Sequence, residues 1–262
     1  MNSCREYVAA CCRGTTIAAL LIAGSTNAHA QRAASSTLDP PIQPQHSPSL
    51  GAHTLLTHSE GLGVSPAITA PVTTQASGST LIVFNGGYTD NDAPPADSYN
   101  NRWKPLGKRV TYGNGYDRFS VQGYIALAAR GGPRHTASIV KAGQTAGEIS
   151  VPFIEIQQAG VLQDMAQNYP AADIVVTSGK VTTTGPATLI ALWWGDGGVK
   201  QMSAVPNNGF TVIESFLKLP DNSGVQCAVA FKQVQSAGTY DVSWIDTPIQ
   251  GAILWLLAFQ AP

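Results

Sequence analysis

Cysteine is scarce in this chain and badly placed for cross-linking. Of four in 262 residues, Cys4, Cys11 and Cys12 fall within the first twelve positions, and only Cys227 lies beyond them. Charge is scarce as well. Charged residues make up 12%, about half the share of an average domain. The 15 basic and 16 acidic residues leave a formal net charge of −1. That balance excludes a general electrostatic nucleic-acid binder, which needs a basic excess to displace counterions from phosphates. No apolar run reaches the roughly 20 residues that span a bilayer. There is no G-x-S-x-G elbow, and no glycine-rich stretch has phosphate-loop form. His46, His53 and His58 fit no common metal-ligand spacing. What is plentiful is apolar residues at 44%, with 26 Gly and 17 Pro. This composition supports a packed, turn-rich core and excludes global disorder or a long charged coiled coil.

Residues 1–30 read as a secretory signal. Arg5 and Arg13 charge the start, Thr15 to Ala23 forms a short apolar run, and Ala28-His29-Ala30 supplies a small-x-small cleavage site. The run is about half of a membrane span, so it directs export without leaving a permanent anchor. The mature chain is expected to start at Gln31, in the periplasm or outside the cell. One cysteine then remains, which excludes an intrachain disulfide. Cys227, within Val225 to Phe231, reads as a buried small hydrophobe. Residues 31–65 read as a linker, because Pro40, Pro41, Pro44 and Pro48 stand among Ser, Thr, Gln and His with no apolar period.

The rest of the chain repeats itself. Val72 to Val83 resembles Val181 to Ala191. Asn101-Arg102-Trp103 answers Asn208-Gly209-Phe210, and Val121 to Leu127 answers Val225 to Phe231. His135 to Ile139 answers Tyr240 to Trp244, and Ile149 to Gln157 answers Ala252 to Gln260. Five stations in one order, with offsets drifting between 103 and 109 residues, indicate a duplicated unit with loop insertions. The matched segments are short, rich in Val, Ile, Thr and aromatics, and bounded by Gly, Asn, Asp or Pro, as strands are. His135, Ala137 and Ile139 alternate with Thr136, Ser138 and Val140, the period of an antiparallel sheet. Ala252 to Phe259 is apolar on both sides and is expected to lie between layers. The predicted fold is all-β: two tandem, internally duplicated antiparallel β-sandwich units of jelly-roll or lectin-like type. The first spans 66–159 and the second 173–262. A connector over 160–172 holds the nearest approach to a helix, with Val161, Leu162 and Met165 on one face.

Three stretches carry a resemblance. Asp97-Ser98-Tyr99-Asn100-Asn101-Arg102-Trp103 resembles the D-S-x-G-N-x-W element of β-sandwich modules repeated in secreted and surface bacterial proteins. Gly131 to Ser138 resembles their G-G-x-x-H-T-V-T strand entry, and Ile154 to Gly160 is similar to their closing A-E-Y-S-G segment. Asn100 stands where the pattern has Gly, and Ala258 where it has Glu. The resemblance implies an extracellular, lectin-like or adhesin-like sandwich and brings no catalytic residue with it.

Candidate sites follow from residue chemistry. Adjacent Trp193 and Trp194 must point to opposite faces of a strand, so one could offer an exposed ring for stacking on a sugar. The alternative, each buried in its own layer, stays open. Tyr112 and Tyr116, in a Gly-rich stretch, could serve likewise. Asp90, Asp92 and Asp97 surround Asn91, an oxygen-rich loop that could hold Ca²⁺; the alternative is an acidic surface loop, and no other cofactor is indicated. Asn101 and Asn208 are expected in turns with φ > 0, with Trp103 and Phe210 plugging the core behind them. His135 and Glu155 are the only handles for hydrolase chemistry. His135 reads better as a packed ring, and Glu155 as the acceptor of internal donors. The sequence therefore points to a secreted, non-enzymatic binding or adhesion protein, with an extracellular glycan or surface component as partner and no nucleic acid. The alternatives are an extracellular hydrolase or lyase acting on polysaccharide or ester, and a structural subunit of a surface assembly.

Overall fold

The computed structural model describes residues 47–261 except 89–92, 114–117, 142–144, 159 and 196–198. Residues 1–30, read from the sequence as an export signal, lie outside the described residues. Eight strands form the first repeat: β1 (Ser49–His58), β2 (Ala67–Ile68), β3 (Ser77–Tyr88), β4 (Ala96–Asp97), β5 (Lys104–Thr111), β6 (Phe119–Arg130), β7 (Ala137–Ile139) and β8 (Ile149–Gln157). Ten form the second: β9 (Val161–Asn168), β10 (Asp173–Thr177), β11 (Val181–Thr183), β12 (Ala187–Gly195), β13 (Ser203–Pro206), β14 (Thr211–Phe216), β15 (Cys227–Val234), β16 (Gly238–Tyr240), β17 (Ser243–Gln250) and β18 (Ala252–Gln260).

Each repeat is a sandwich of one five-stranded inner sheet and a smaller outer sheet. The inner sheets run β1-β8-β3-β6-β5 and, read in the same sense, β9-β18-β12-β15-β14. The outer sheets are β2-β7-β4 in repeat 1 and β10-β17-β13, beside the pair β11-β16, in repeat 2. The duplication holds at the level of pairing. Leu81 lies opposite Glu155, and Leu189 opposite Ala258. The Val72–His135 bridge reappears as Val181–Tyr240. One station shifts: Ile82 faces Ile125 and Ile190 faces Phe231, so Ile125 corresponds to Phe231 and not to Val229. A slip of two residues leaves every side chain on the same face, so the sequence pattern does not register it.

Strand alternation explains the layering. On β12, Leu189, Ala191 and Trp193 enter the interior between the inner and outer sheets of repeat 2. Ile190, Leu192 and Trp194 point the other way, into a central core shared with Ile82, Phe84, Ile154 and Ile156 of repeat 1. The two inner sheets thus pack face to face, and β18 is fully buried on both sides, as its unbroken apolar run requires. A third core, around Leu81, Val83, Trp103, Tyr124 and Phe153, fills repeat 1. At the rims, β1 meets β14 through a 2.7 Å His53–Glu214 contact. β5 meets β9, where Gln167 bonds both the amide and the carbonyl of Lys108. Since β1 corresponds to β9 and β5 to β14, the contacts are reciprocal, as a two-fold relation between the repeats demands.

Two segments differ from the sequence reading. Ser49–His58, read as linker, is the edge strand β1 on β8, and His53 and His58 belong to it. A register shift between Leu50 and His53 breaks its alternation, and its residues are half-buried, so composition made it look like solvated chain. Val161–Asn168, read as connector with helical spacing, is the corresponding edge strand β9 on β18. A bulge there sets Leu162 and Met165, three residues apart, against the same central core, which imitates a helical period. Each repeat therefore opens with an edge strand that the sequence boundaries at 66 and 173 leave out.

Candidate functional site

The polar heart of repeat 1 is built on the turn after β4. Asp97 ends that strand with only 7% exposure. Its carboxylate accepts hydrogen bonds from the Tyr99 and Asn101 amides at 2.8 and 3.1 Å, and from Trp103 Nε1 at 2.7 Å. Asn101 Nδ2 and His135 Nε2 approach its Oδ1 at 3.1 and 3.3 Å. Burial pushes this carboxyl's pKa up, but the hydrogen bonds from His135, Tyr99, Trp103 and Asn101 outweigh it and hold the group below its usual range. On the far side of the ring, His135 Nδ1 lies 2.8 Å from Thr74 Oγ1, which also accepts the Gly132 amide at 3.1 Å. Thr74 donating to Nδ1 and Nε2–H donating to the acceptor-only carboxylate satisfies every member. Tyr99 and Phe153 hold the ring at centroid distances of 4.7 and 5.1 Å.

The order Thr–His–Asp matches the membership of a hydrolytic triad, but the arrangement does not match its operation. A triad places the nucleophile on Nε2 and the acid on Nδ1, with the nucleophile open to substrate. Here the two nitrogens are exchanged, His135 has no exposed surface, and Thr74 is 6% exposed. Glu155 is equally committed. It is fully buried and accepts from the Ala52 amide at 3.1 Å, the Gln75 amide at 2.7 Å and Ser79 Oγ at 2.5 Å. The Ala52 amide is the one freed by the bulge of β1, so the carboxylate repairs the ladder where it breaks.

The other sequence candidates are dispersed. Trp193 and Trp194 are both fully buried, one in each core, and neither presents a ring to solvent. Trp193 Nε1 donates to buried Asp246 at 3.0 Å. Trp194 packs 5.2 Å from Phe84, against the bare backbone of Gly86, where a Cβ would collide with the indole nitrogen. Tyr112 is 3% exposed and packs edge-on against Phe119 and Tyr169. Tyr116, Asp90 and Asp92 lie outside the described residues. Asp97 turns inward to its five donors, so it offers no open oxygen to a cation. Among the described residues, no group of three His, Cys, Asp or Glu is arranged to hold a metal ion. Trp103 and Phe210 plug their cores as expected. The left-handed turn residues are Asn100 (φ 55°) and Asn208 (φ 54°), so the first lies one position before Asn101, whose side chain instead ties Asp97 to Arg130. Cys227 is fully buried, and burial pushes its thiol pKa well up.

A second titratable group, with no motif to announce it, sits where β1 ends and β8 begins. Lys141 is 1% exposed and donates to the Gly147 carbonyl at 2.9 Å. Burial pushes its pKa down against the pull of Glu148. Burial pushes Glu148 up, and burial together with the Lys141 charge pushes His58 down. Nearby, Met202, Ser215, Phe216, Leu217 and Lys218 line a groove of about 380 Å³ that holds no converging set of polar groups.

One surface feature escaped the sequence reading. Between residues 102 and 134 stand Arg102, Lys104, Lys108, Arg109, Arg118, Arg130 and Arg134, against Asp117 alone. Six of them follow β5, an edge strand of the inner sheet, and the adjoining ends of β6, and Arg134 lies in the loop between β6 and β7. Whole-chain net charge hides this segment; a count by segment exposes it. No protein-family model, no curated protein and no solved structure matches this chain. What is established is an all-β protein of two similar antiparallel sandwich units.

Proposed function

We propose that this is an exported, non-enzymatic binding or adhesion protein. The observation that carries the reading is the commitment of His135 and Glu155, the two side chains on which hydrolysis would rest. Both are fully buried, and their polar atoms are taken by internal partners. A catalytic acid or base needs reach to a substrate proton, and neither has it. The resemblance of Asp97 to Trp103 to an extracellular sandwich module supports the same reading. In that segment the pattern's Gly is Asn100, which adopts the left-handed φ that Gly favours. The export signal at 1–30 gives the protein extracellular or periplasmic partners, and a glycan is the leading class.

The test is a glycan array with the purified protein, with and without Ca²⁺. Binding above background to a defined set of glycans is the expected result, and an empty array removes the glycan reading. Hydrolysis or cleavage of polysaccharide or ester that disappears in Glu155→Gln or His135→Ala, with the fold intact, would replace the reading by the enzyme.

A structural subunit of a surface assembly is favoured by one separate observation. On the outer sheet of repeat 2, Val175, Ile245 and Val205 stand in one cross-strand row, and each is about half exposed. Such a row on a monomer is a candidate contact surface. Light scattering over a range of concentrations separates the cases: growth in mass that Ile245→Lys abolishes supports assembly, and constant monomer mass rejects it.

A further inference from the structure

We propose that the basic edge of repeat 1, along β5, binds an acidic polysaccharide; the proposal rests on the binding-protein reading and names its ligand class and site. Residues 102–134 carry seven basic side chains against one acidic. The rest of the chain after residue 30 has the opposite bias, with six basic against fourteen acidic. So strong an asymmetry in a nearly neutral chain concentrates a positive field on one edge.

The fold puts these residues together. Arg102 immediately precedes β5, and Lys104 opens it opposite Ile125. Lys108 and Arg109 occupy the irregular stretch between Leu106 and Val110. Arg130 ends β6 and is tied back to the start of β5, its amide donating to Asn101 Oδ1 at 2.8 Å and its guanidinium to the Asn100 carbonyl at 3.3 Å. At the opposite end, Arg118 donates to the Tyr88 hydroxyl at 2.9 Å. Six of the seven are exposed and Arg109 is half-buried. Among the described residues, no ion pair joins Arg102, Lys104, Lys108, Arg130 or Arg134 to a carboxylate. An eight-residue strand at about 3.3 Å per residue makes this a stripe roughly 25 Å long.

Edge protection does not account for it. Charged residues do guard free sheet edges against aggregation. Yet the other three edges of the inner sheets, β1, β9 and β14, carry no Lys or Arg. Five of the seven residues are Arg, whose planar fork matches carboxylate and sulfate oxygens in pairs. Single-stranded nucleic acid would call for aromatic platforms between the charges, but among the described residues of this segment Trp103, Tyr112 and Tyr124 are buried and Phe119 is half-buried. A membrane surface would call for an apolar band, and among its described residues the segment offers only Leu127 as an exposed large apolar side chain. A sulfated or carboxylated sugar chain needs neither; it presents repeated anions along an extended ribbon.

The experiment measures binding of the purified protein to heparin and to polygalacturonate, with neutral dextran as control, by titration calorimetry over increasing salt. The expected result is binding to at least one acidic polymer that weakens steeply with salt. The Lys104→Glu/Lys108→Glu variant should lose affinity by about tenfold or more, with an unchanged circular-dichroism spectrum and melting temperature. Lys200→Glu/Lys218→Glu, on repeat 2, should leave affinity unaltered. Equal losses in the two variants, or tighter binding to single-stranded DNA or to anionic phospholipid vesicles than to either polysaccharide, would overturn the site. Binding to neutral glycans alone would overturn it while preserving the binding-protein reading; no binding to any glycan removes the site together with the glycan reading.

Discussion

Val72 pairs with His135 in repeat 1, and Val181 pairs with Tyr240 in repeat 2, so two different rings hold one place in a duplicated backbone. Their surroundings diverge. His135 is buried between Thr74 and Asp97, in a network that also satisfies the indole of Trp103. Tyr240 stays partly exposed, sends its hydroxyl to the Ser236 carbonyl, and lies under Lys232, whose ammonium sits 5.9 Å from its ring and 5.8 Å from that of Phe210. Phe210, at the Trp103 station, has no N–H to satisfy and calls for no buried carboxylate. The Glu155 station divides in the same way. Repeat 1 buries a carboxylate there, and repeat 2 has Ala258. At the neighbouring loop, Gln260 accepts the Thr184 amide at 2.9 Å, much as Glu155 accepts that of Gln75. At these two stations one backbone plan thus takes a buried polar group in one copy and an apolar side chain in the other.

Exchanging these solutions should break the molecule unequally. Ala258→Glu places a carboxylate where no donor set exists, and the desolvation cost of several kcal/mol should prevent folding or lower the melting temperature drastically. Trp255→Ala opens the core that both repeats share. We expect a loss of about 3–5 kcal/mol in urea denaturation, still in one transition; two separate transitions would show that the repeats are energetically independent. Asp97→Asn removes the charge that five donors address and should cost about 2–3 kcal/mol.

The Asp97 contribution has a defined pH sign. Its folded pKa is depressed, so folding favours the charged form. The contribution is complete above the unfolded carboxylate pKa near 4 and is lost as pH falls through the lower folded value. The stability gap between the native protein and Asp97→Asn should therefore be constant at neutral pH and close in acid. A gap independent of pH would mean that geometry, not charge, holds this turn. The smallest effect belongs to repeat 2: Lys232→Ala should cost about 0.5–1 kcal/mol, since the lysine is only half-buried and its ammonium is shared between two rings.

Legibility followed burial. The central strands were readable because β12 and β18 are apolar on both faces, a pattern that only a strand between two layers can satisfy. The edge strands β1 and β9 were not, because bulges disturb their period and one face of each meets water. Glu155 could be read as an internal acceptor because it interrupts an apolar run. The adjacency of Thr74, Asp97 and His135 could not be read, since 61 and 38 residues separate His135 from its partners and only strand pairing closes those distances. The Trp193–Trp194 pair was correctly assigned to opposite faces, but whether a face meets solvent depends on what another part of the chain lays over it.

The sequence alone determined the all-β class, the duplication and the alternating side-chain directions of the central strands, because these depend on local propensity and a period of two. The tertiary structure decided that the two sandwiches turn their inner sheets against each other. It decided too that Trp194 is thereby buried, as Trp193 is beneath the outer sheet of its own repeat, and that most of the basic residues of 102–134 stay exposed along one edge. Those outcomes depend on which face of one repeat the other excludes from water, and that information is spread over residues more than a hundred positions apart.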